Sequence, residues 1–204
     1  MKKILWDDRH ELPMLVRSLQ QGHVLAGSSD TVLGLLAAVN PEGFARLNTI
    51  KGRTQKPYVV LIGDKSKVNI FAQTPLASTV QRLVDQCWPG PLTIVLKAKA
   101  GLPAHLQSAD GTIALRVPQH AGLLAILAHC DGLFSTSANK AGEPVALTID
   151  ELDKDILQAI EYLIVERDAQ VRTAPSTIID CSTASVRIVR PGAYSPEQLE
   201  KIIS

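Results

Sequence analysis

Apolar positions along this chain recur at two periods, and the period switches repeatedly between that of a helix and that of a strand. Leu12, Leu15, Val16 and Leu19 form an i, i+3, i+4, i+7 stripe, and Gly22 stands where such a helix stops. A short strand is predicted at 23–26. Asn40-Pro41 reads as a helix start, with Phe44, Leu47 and Ile50 on one face. A buried strand follows at 58–62. Leu76, Val80, Leu83, Val84 and Cys87 line a further helix, ended by Pro89-Gly90-Pro91. Strands are predicted at 92–96 and 112–117, an apolar helix at 122–129, and a short strand at 133–134. Thr148 and Glu151 have capping-box spacing before Leu152 and Ile156. Strands at 162–165, 177–179 and 186–189 come next, and Ser195, Pro196 and Gln198 open a terminal helix. Seven or eight strands interleaved with helices make an α/β layered domain. Back-to-back strands near 92–117 and 177–189 imply antiparallel pairs, so the sheet should be mixed.

The 204 residues contain no internal repeat, low-complexity tract or linker. They read as one domain over 1–204, with a core of about 9–192 and a terminal helix at 195–203. A formal net charge of +1 argues against bulk binding of a polyanion, while leaving room for a local basic groove. Aromatics at 4% are thin for a surface that stacks bases. Cys87, Cys130 and Cys181 are widely spaced with no CxxC, so reduced, partly buried thiols are expected. The five histidines are scattered without an HExxH, and no metal-ligand set stands out. No uncharged apolar run approaches the ~20 residues of a membrane span. Ile4-Leu5-Trp6 is too short an apolar stretch for a signal peptide. A soluble, cytoplasmic protein is expected, with no membrane partner.

Neither GxxxxGK[ST], GxGxxG nor GxSxG occurs. Ser137-Ala138-Asn139-Lys140 matches SxxK, but its KTG partner is absent. Polar residues instead cluster at strand ends in four places. These are Gly27 to Thr31 with Gly34, then Lys51-Gly52-Arg53, then Ser135 to Asn139 with Gly142, and finally Ala174 to Thr177 with Arg190-Pro191-Gly192. Loops leaving strand ends are where α/β domains bind ligands. Hydroxyls and backbone N–H groups there suit phosphate or carboxylate. Lys51, Arg53, Arg116 and Arg190 could add charge-assisted bonds. Each piece also has a plainer reading. Lys51 and Arg53 suit the dipole of the helix before them. Ser135 to Asn139 suits a turn, and Arg190 could merely end its strand. Arg116, inside an otherwise apolar strand, needs a partner. Residues i and i+2 share a side only on extended backbone, so a Lys51–Arg53 pair facing one cavity implies a non-helical segment.

In order along the chain these segments resemble the YrdC/Sua5 family of threonylcarbamoyl-AMP synthases. Ser28-Ser29-Asp30-Thr31 with Gly34 loosely matches its PTET-type stretch, and Lys51-Gly52-Arg53 matches its KxR. Trp88 to Thr93 matches WPGPLT, and Thr112 to Pro118 matches T-x-x-x-R-V-P. Ser137-Ala138-Asn139, with Gly142 and Pro144 behind, matches S-x-N. Ser176 to Asp180 and Arg190 to Gly192 match STI[IV]D and RPG. The resemblance covers nearly the whole chain. It implies a single-domain YrdC-like fold, a twisted mixed β-sheet flanked by helices with a concave polar cavity, of the short form that lacks an extra C-terminal domain.

The activity it implies is that of a nucleotidyltransferase condensing L-threonine, bicarbonate or CO2, and ATP. The products are L-threonylcarbamoyl-AMP and pyrophosphate, and a partner transferase complex then modifies tRNA. By position, Thr31, Arg116, Ser135 and Ser176 would hold L-threonine, and Arg53, Thr112, Ser137, Asn139 and Arg190 would hold ATP. Lys51 and Arg53 would be catalytic. Mg2+ would come largely through phosphates and water rather than a protein metal site. The chain departs from the pattern at Ser28-Ser29-Asp30, at Gly27 and Leu33, at Leu61 (often histidine) and at Val145 (serine in some members). Two alternatives follow. One is a diverged paralogue like the YciO branch, which tends to lose the lysine and asparagine kept here as Lys51 and Asn139. The other is a tRNA- or dsRNA-binding, ribosome-maturation module without this turnover.

Overall fold

The computed structural model describes residues 1–52, 57–167 and 174–203. Its strands are β1 (Lys2–Leu5), β2 (Leu25–Gly27), β3 (Gly34–Ala38), β4 (Val59–Leu61), β5 (Leu92–Lys97), β6 (Thr112–Arg116), β7 (Leu133–Ser137), β8 (Tyr162–Val165), β9 (Thr177–Asp180) and β10 (Arg187–Arg190). Its helices are α1 (Leu12–Gln20), α2 (Pro41–Lys51), α3 (Val68–Phe71), α4 (Ser78–Cys87), α5 (Ala121–Leu127), α6 (Lys154–Ala159) and α7 (Pro196–Ile203). The strands form one mixed sheet in the order β1-β8-β2-β3-β7-β4-β6-β5-β9-β10. The antiparallel β5/β6 and β9/β10 pairs are those expected from the sequence, and β4/β6 and β5/β9 are parallel.

Local chemistry explains most of these boundaries. Asn40 caps α2 by accepting from the Gly43 N–H at 2.7 Å, with Pro41 in the first turn. Ser195 and Gln198 cap the last helix reciprocally: Ser195 N–H donates to Gln198 Oε1 at 2.8 Å, and Gln198 N–H to Ser195 Oγ at 3.3 Å. The proposed box at Thr148 and Glu151 does not form. Asp153 starts α6 instead, accepting from Asp155 N–H at 2.8 Å, while Glu151 accepts from Leu147 N–H at 2.9 Å. A carboxylate directly before the helix reaches its free N–H groups, which a threonine five residues upstream does not.

Two strands escape the sequence pattern. β1 is a four-residue edge strand with two lysines. β3 is buried on both faces along most of its length, so its Leu35-Leu36-Ala37 run has no alternation to read. β7 runs three residues past the expected strand, because Ser135 and Ser137 pair with Leu36 and Gly34 of β3.

The sheet has two unequal faces. Leu35, Val60, Phe134, Leu163 and Leu115 point to a large cluster that also holds Leu47, Val84, Ile156 and Leu199, so α2, α3, α4, α6 and α7 cover this side. Leu36, Leu61, Leu133 and Ile164 point the other way, onto Leu15 and Leu19 of α1 and Leu123, Ile126 and Leu127 of α5. Alternation then places Ser135 and Ser137, Arg116, Thr93 and Ile178 on that second face, beyond the smaller cluster. The polar strand residues thus share one side of the sheet.

Candidate functional site

On that second side lies a cavity of about 320 Å³. Thr31, Lys51, Arg116, Ser135, Ser137, Asn139, Ser176 and Arg190 all line it, contributed by seven separate elements and loops. Eight of the ten candidates therefore converge. Thr112 does not reach the lining: it stands at the opposite end of β6 from Arg116, roughly 13 Å along the strand. Its hydroxyl donates to Asp110 Oδ1 at 2.7 Å in a local turn. Arg53 lies outside the described residues.

Lys51 is placed by a helix rather than by the extended segment expected. It is the last residue of α2, and Gly52, at φ +61°, breaks the helix directly after it. Lys51 is 3% exposed. Its ammonium donates to the Ser137 carbonyl and to Asn139 Oδ1, both at 2.8 Å. Asn139 Oδ1 also accepts from Ser137 Oγ at 2.6 Å, and Asn139 Nδ2 donates to the Glu143 carbonyl. The ammonium fixes the amide with its oxygen inward, since the opposite orientation would set N–H groups against a cation.

Arg116 is 5% exposed, and its planar fork is held on three sides. Nε donates to the Gly90 carbonyl at 3.2 Å, Nη1 to Thr31 Oγ1 at 3.1 Å, and Nη2 to Asp30. Asp30 is itself anchored by accepting from Gln119 N–H at 2.9 Å. Burial pulls the Arg116 pKa down and Asp30 opposes that pull; the guanidinium stays charged. A guanidinium has five N–H donors, so these contacts leave donors over.

Ser28, Ser29 and Asp30, which depart from the family pattern, are structural supports. Ser28 accepts from Trp6 Nε1 at 3.1 Å. Ser29 donates to the Val32 carbonyl at 3.2 Å and accepts from Thr31 N–H at 3.1 Å. With the Ser29 proton committed there, Thr31 Oγ1, 3.0 Å away, donates to Ser29 and accepts from Arg116. Only an acceptor lone pair of Thr31 then remains for a ligand.

Arg190 reaches the cavity through a bulge. Arg187 and Ile188 pair in register with Asp180 and Ile179, but Arg190, not Val189, stands opposite Ile178. The extra residue puts Arg190 on the Ile178 side, which faces the cavity. Its Nη2 donates to the Ser176 carbonyl at 2.8 Å and to Ser176 Oγ at 3.0 Å. Burial lowers its pKa, and the like charge of Arg116 lowers it further. Two arginines close enough to repel create a place where an anion is stabilised. Gly192 permits this corner, because a Cβ there would come within 2.5 Å of the Pro175 carbonyl and the Thr177 nitrogen. The Gly192→Ala variant is expected to lose about 1–3 kcal/mol of stability, read by urea denaturation.

The described lining contains no carboxylate, and among the described residues no three His, Cys, Asp or Glu side chains group as a metal site. The described lining thus offers a magnesium ion no carboxylate ligand. The cysteines are free. Burial pushes Cys130 up to about 11 and Cys181 up to about 12, so neither supplies a thiolate at neutral pH. Among the described residues no helix is long and apolar enough to cross a membrane. Sequence reasoning passed over Asp30, Gly90 and Thr93 as parts of the site. The available signals were that Asp30 sits beside Thr31 and that Gly90 and Thr93 lie in the Trp88 to Thr93 stretch matching the family pattern.

A described lining with converging cations and no carboxylate, on a mixed α/β sheet, has the chemistry to receive an anion. The family model of the Sua5, YciO and YrdC proteins, described as "Telomere recombination", matches residues 17–192, and the chain belongs to that family. A Methanocaldococcus jannaschii relative is 29% identical over 194 residues, covering 93% of this chain and 89% of its own. A Bacillus subtilis protein named threonylcarbamoyl-AMP synthase is 29% identical over 189 residues, covering 91% of this chain but 54% of its own length. The crystal structure of Pyrococcus abyssi Sua5 complexed with L-threonine is similar at a TM-score of 0.87 and 25% identity. That likeness covers 99% of this chain and 60% of the other.

Proposed function

We propose that this protein is an L-threonylcarbamoyl-AMP synthase, a nucleotidyltransferase acting in the cytoplasm. The observation that carries the reading is the convergence of Lys51, Arg116 and Arg190 on one cavity whose described lining holds hydroxyls and an amide but no carboxylate. L-Threonine, bicarbonate or CO2, and ATP are the substrates. The amine of L-threonine adds to CO2 to give a carbamate. A carbamate oxygen then attacks the α-phosphorus of ATP, the bond to the β-phosphate oxygen breaks, and pyrophosphate leaves. Both steps gather negative charge, so fixed cations and positioning supply most of what the protein must add.

The residues divide by what they can donate. Arg116 and Ser176 take the amino-acid carboxylate. Thr31, with an acceptor left over, takes the substrate hydroxyl proton, and Ser135 lines the same end. Lys51, with Arg53 assigned beside it by the family pattern, faces the carbamate and phosphates. Ser137, Asn139 and Arg190 hold the nucleotide. Magnesium enters on the ATP phosphates, and the product passes to a tRNA-modifying transferase. Retention of Lys51 and Asn139, bonded to one another, favours this reading over a paralogue lacking them.

A site that hydrogen-bonds a hydroxyl rejects an analogue without one, because its own polar group is left unpaired. L-Threonine should therefore exceed 2-aminobutyrate in kcat/KM by about 10- to 100-fold. Pyrophosphate release at saturating ATP and bicarbonate measures the ratio, and equal values would remove the substrate assignment.

A further inference from the structure

Behind the cavity wall, Thr93 of β5 is wholly buried, and its Oγ1 lies 2.8 Å from Ser176 Oγ. We infer that Thr93 is a positioning residue that turns Ser176 into an obligate hydrogen-bond donor toward the cavity's ligand. Ser176 Oγ accepts from Arg190 Nη2 at 3.0 Å. The bond to Thr93 can run either way. If Ser176 donated it, the Thr93 proton would be buried in a site that offers it no acceptor among the described hydrogen bonds, at a cost of roughly 1–3 kcal/mol. If Thr93 donates, its proton is satisfied and both Ser176 lone pairs are filled, one by Arg190 and one by Thr93. The Ser176 proton is then the only bonding capacity left, and Ser176 lines the cavity.

The consequence is a polarity. Ser176 offers a donor beside the charged donors of Arg116 and Arg190, so this end of the cavity selects an acceptor oxygen such as a carboxylate's. Thr31, committed the opposite way by Ser29, offers an acceptor. A ligand carrying a carboxylate at one end and a hydroxyl or amine at the other satisfies both. With L-threonine as that ligand, the inference rests on the function proposed above. The polarity itself does not.

Two measurements test it. In Thr93→Val the shape is kept and the donor removed, so Ser176 relaxes toward accepting from or donating to its surroundings indiscriminately. KM for L-threonine should rise about tenfold while kcat changes less than about twofold, and Thr93→Ser should restore the wild-type KM. An unchanged KM in Thr93→Val, or Thr93→Ser as impaired as Thr93→Val, would overturn the inference. A merely structural role would instead lower thermal stability and kcat together. Independently, a neutron structure of the deuterated wild-type protein should show the Thr93 deuteron directed at Ser176 Oγ and the Ser176 deuteron directed into the cavity. The reverse polarity would overturn the inference whatever the substrate proves to be. Wild-type protein that shows this polarity but does not turn over L-threonine would refute the proposed substrate and leave the positioning role standing.

Discussion

Arg116→Ala is expected to damage this protein twice over, in stability and in substrate recognition. The guanidinium and the Asp30 carboxylate are nearly enclosed, with side-chain exposures of 6% and 10%. Removing one member leaves the other charge buried without compensation, which costs roughly 3–5 kcal/mol. Asp30 would keep its bond from Gln119 N–H, a single neutral donor against a full charge. Asp30→Ala should destabilise by a similar amount, for the mirror-image reason. The double variant should lose less than the sum, because the partners share one interaction. Recognition suffers separately. Of the two described cavity arginines, Arg190 bonds only Ser176, whereas Arg116 is held from two separate segments, Gly90 on one side and Asp30-Thr31 on the other, so its direction is fixed before a ligand arrives. Loss of that fork should reduce kcat/KM for L-threonine by about 10³-fold or more, and Arg116→Lys should not restore it, since an ammonium lacks the planar pair of donors. Urea denaturation and pyrophosphate-release kinetics separate the two effects. A stable, fully active Arg116→Ala protein would remove Arg116 from the site.

Lys51→Ala should strike the chemistry rather than the amino acid. The ammonium ties α2 to the end of β7 through the Ser137 carbonyl and Asn139 Oδ1. It also supplies a positive charge to the cavity lining that is shielded from water. Without it, kcat should fall about 10²- to 10⁴-fold, with KM for L-threonine changed far less. The Asn139 amide would lose the charge that orients it, so ATP affinity should weaken too. Lys51→Arg is expected to fail as a rescue, because the bulkier fork does not fit a site that leaves the lysine 3% exposed. Calorimetry with ATP and single-turnover pyrophosphate release distinguish binding from chemistry. A Lys51→Ala protein with normal turnover would contradict the catalytic role.

What the chain alone revealed follows from which forces are local. α1, α2, α4 and α7 were legible because each start or stop signal lies within one short segment, as with the Leu12 to Leu19 stripe before Gly22 or Asn40 before Pro41. Where the decisive partner is remote, the pattern fell silent. Strand β3 has no alternation because neighbours cover both its faces. β7 continues through Ser135, Thr136 and Ser137 because β3 and β4 pair with it, although these residues read locally as a turn. Lys51 lies on a helix, and the glycine after it, rather than an extended segment, sets its direction. The site was legible as a set of polar patches whose order matched a family. Its supporting contacts were not: the bonds of Asp30 to Arg116 and of Thr93 to Ser176 span more than eighty positions of sequence. A bulged register, which brings Arg190 rather than Val189 opposite Ile178, is set by the pairing of β9 with β10 and leaves no mark in composition. Thr112 shows the converse, a residue of matching type in a matching motif that the strand carries away from the cavity lining.

The most direct measurement incubates the purified protein with ATP, magnesium, bicarbonate and each amino acid in turn, following pyrophosphate and the mass of the adenylate formed. The account predicts pyrophosphate release that depends on both L-threonine and bicarbonate, with a product of the mass of threonylcarbamoyl-AMP. Release that is independent of the amino acid, or an adenylate formed without incorporation of labelled bicarbonate, would contradict it.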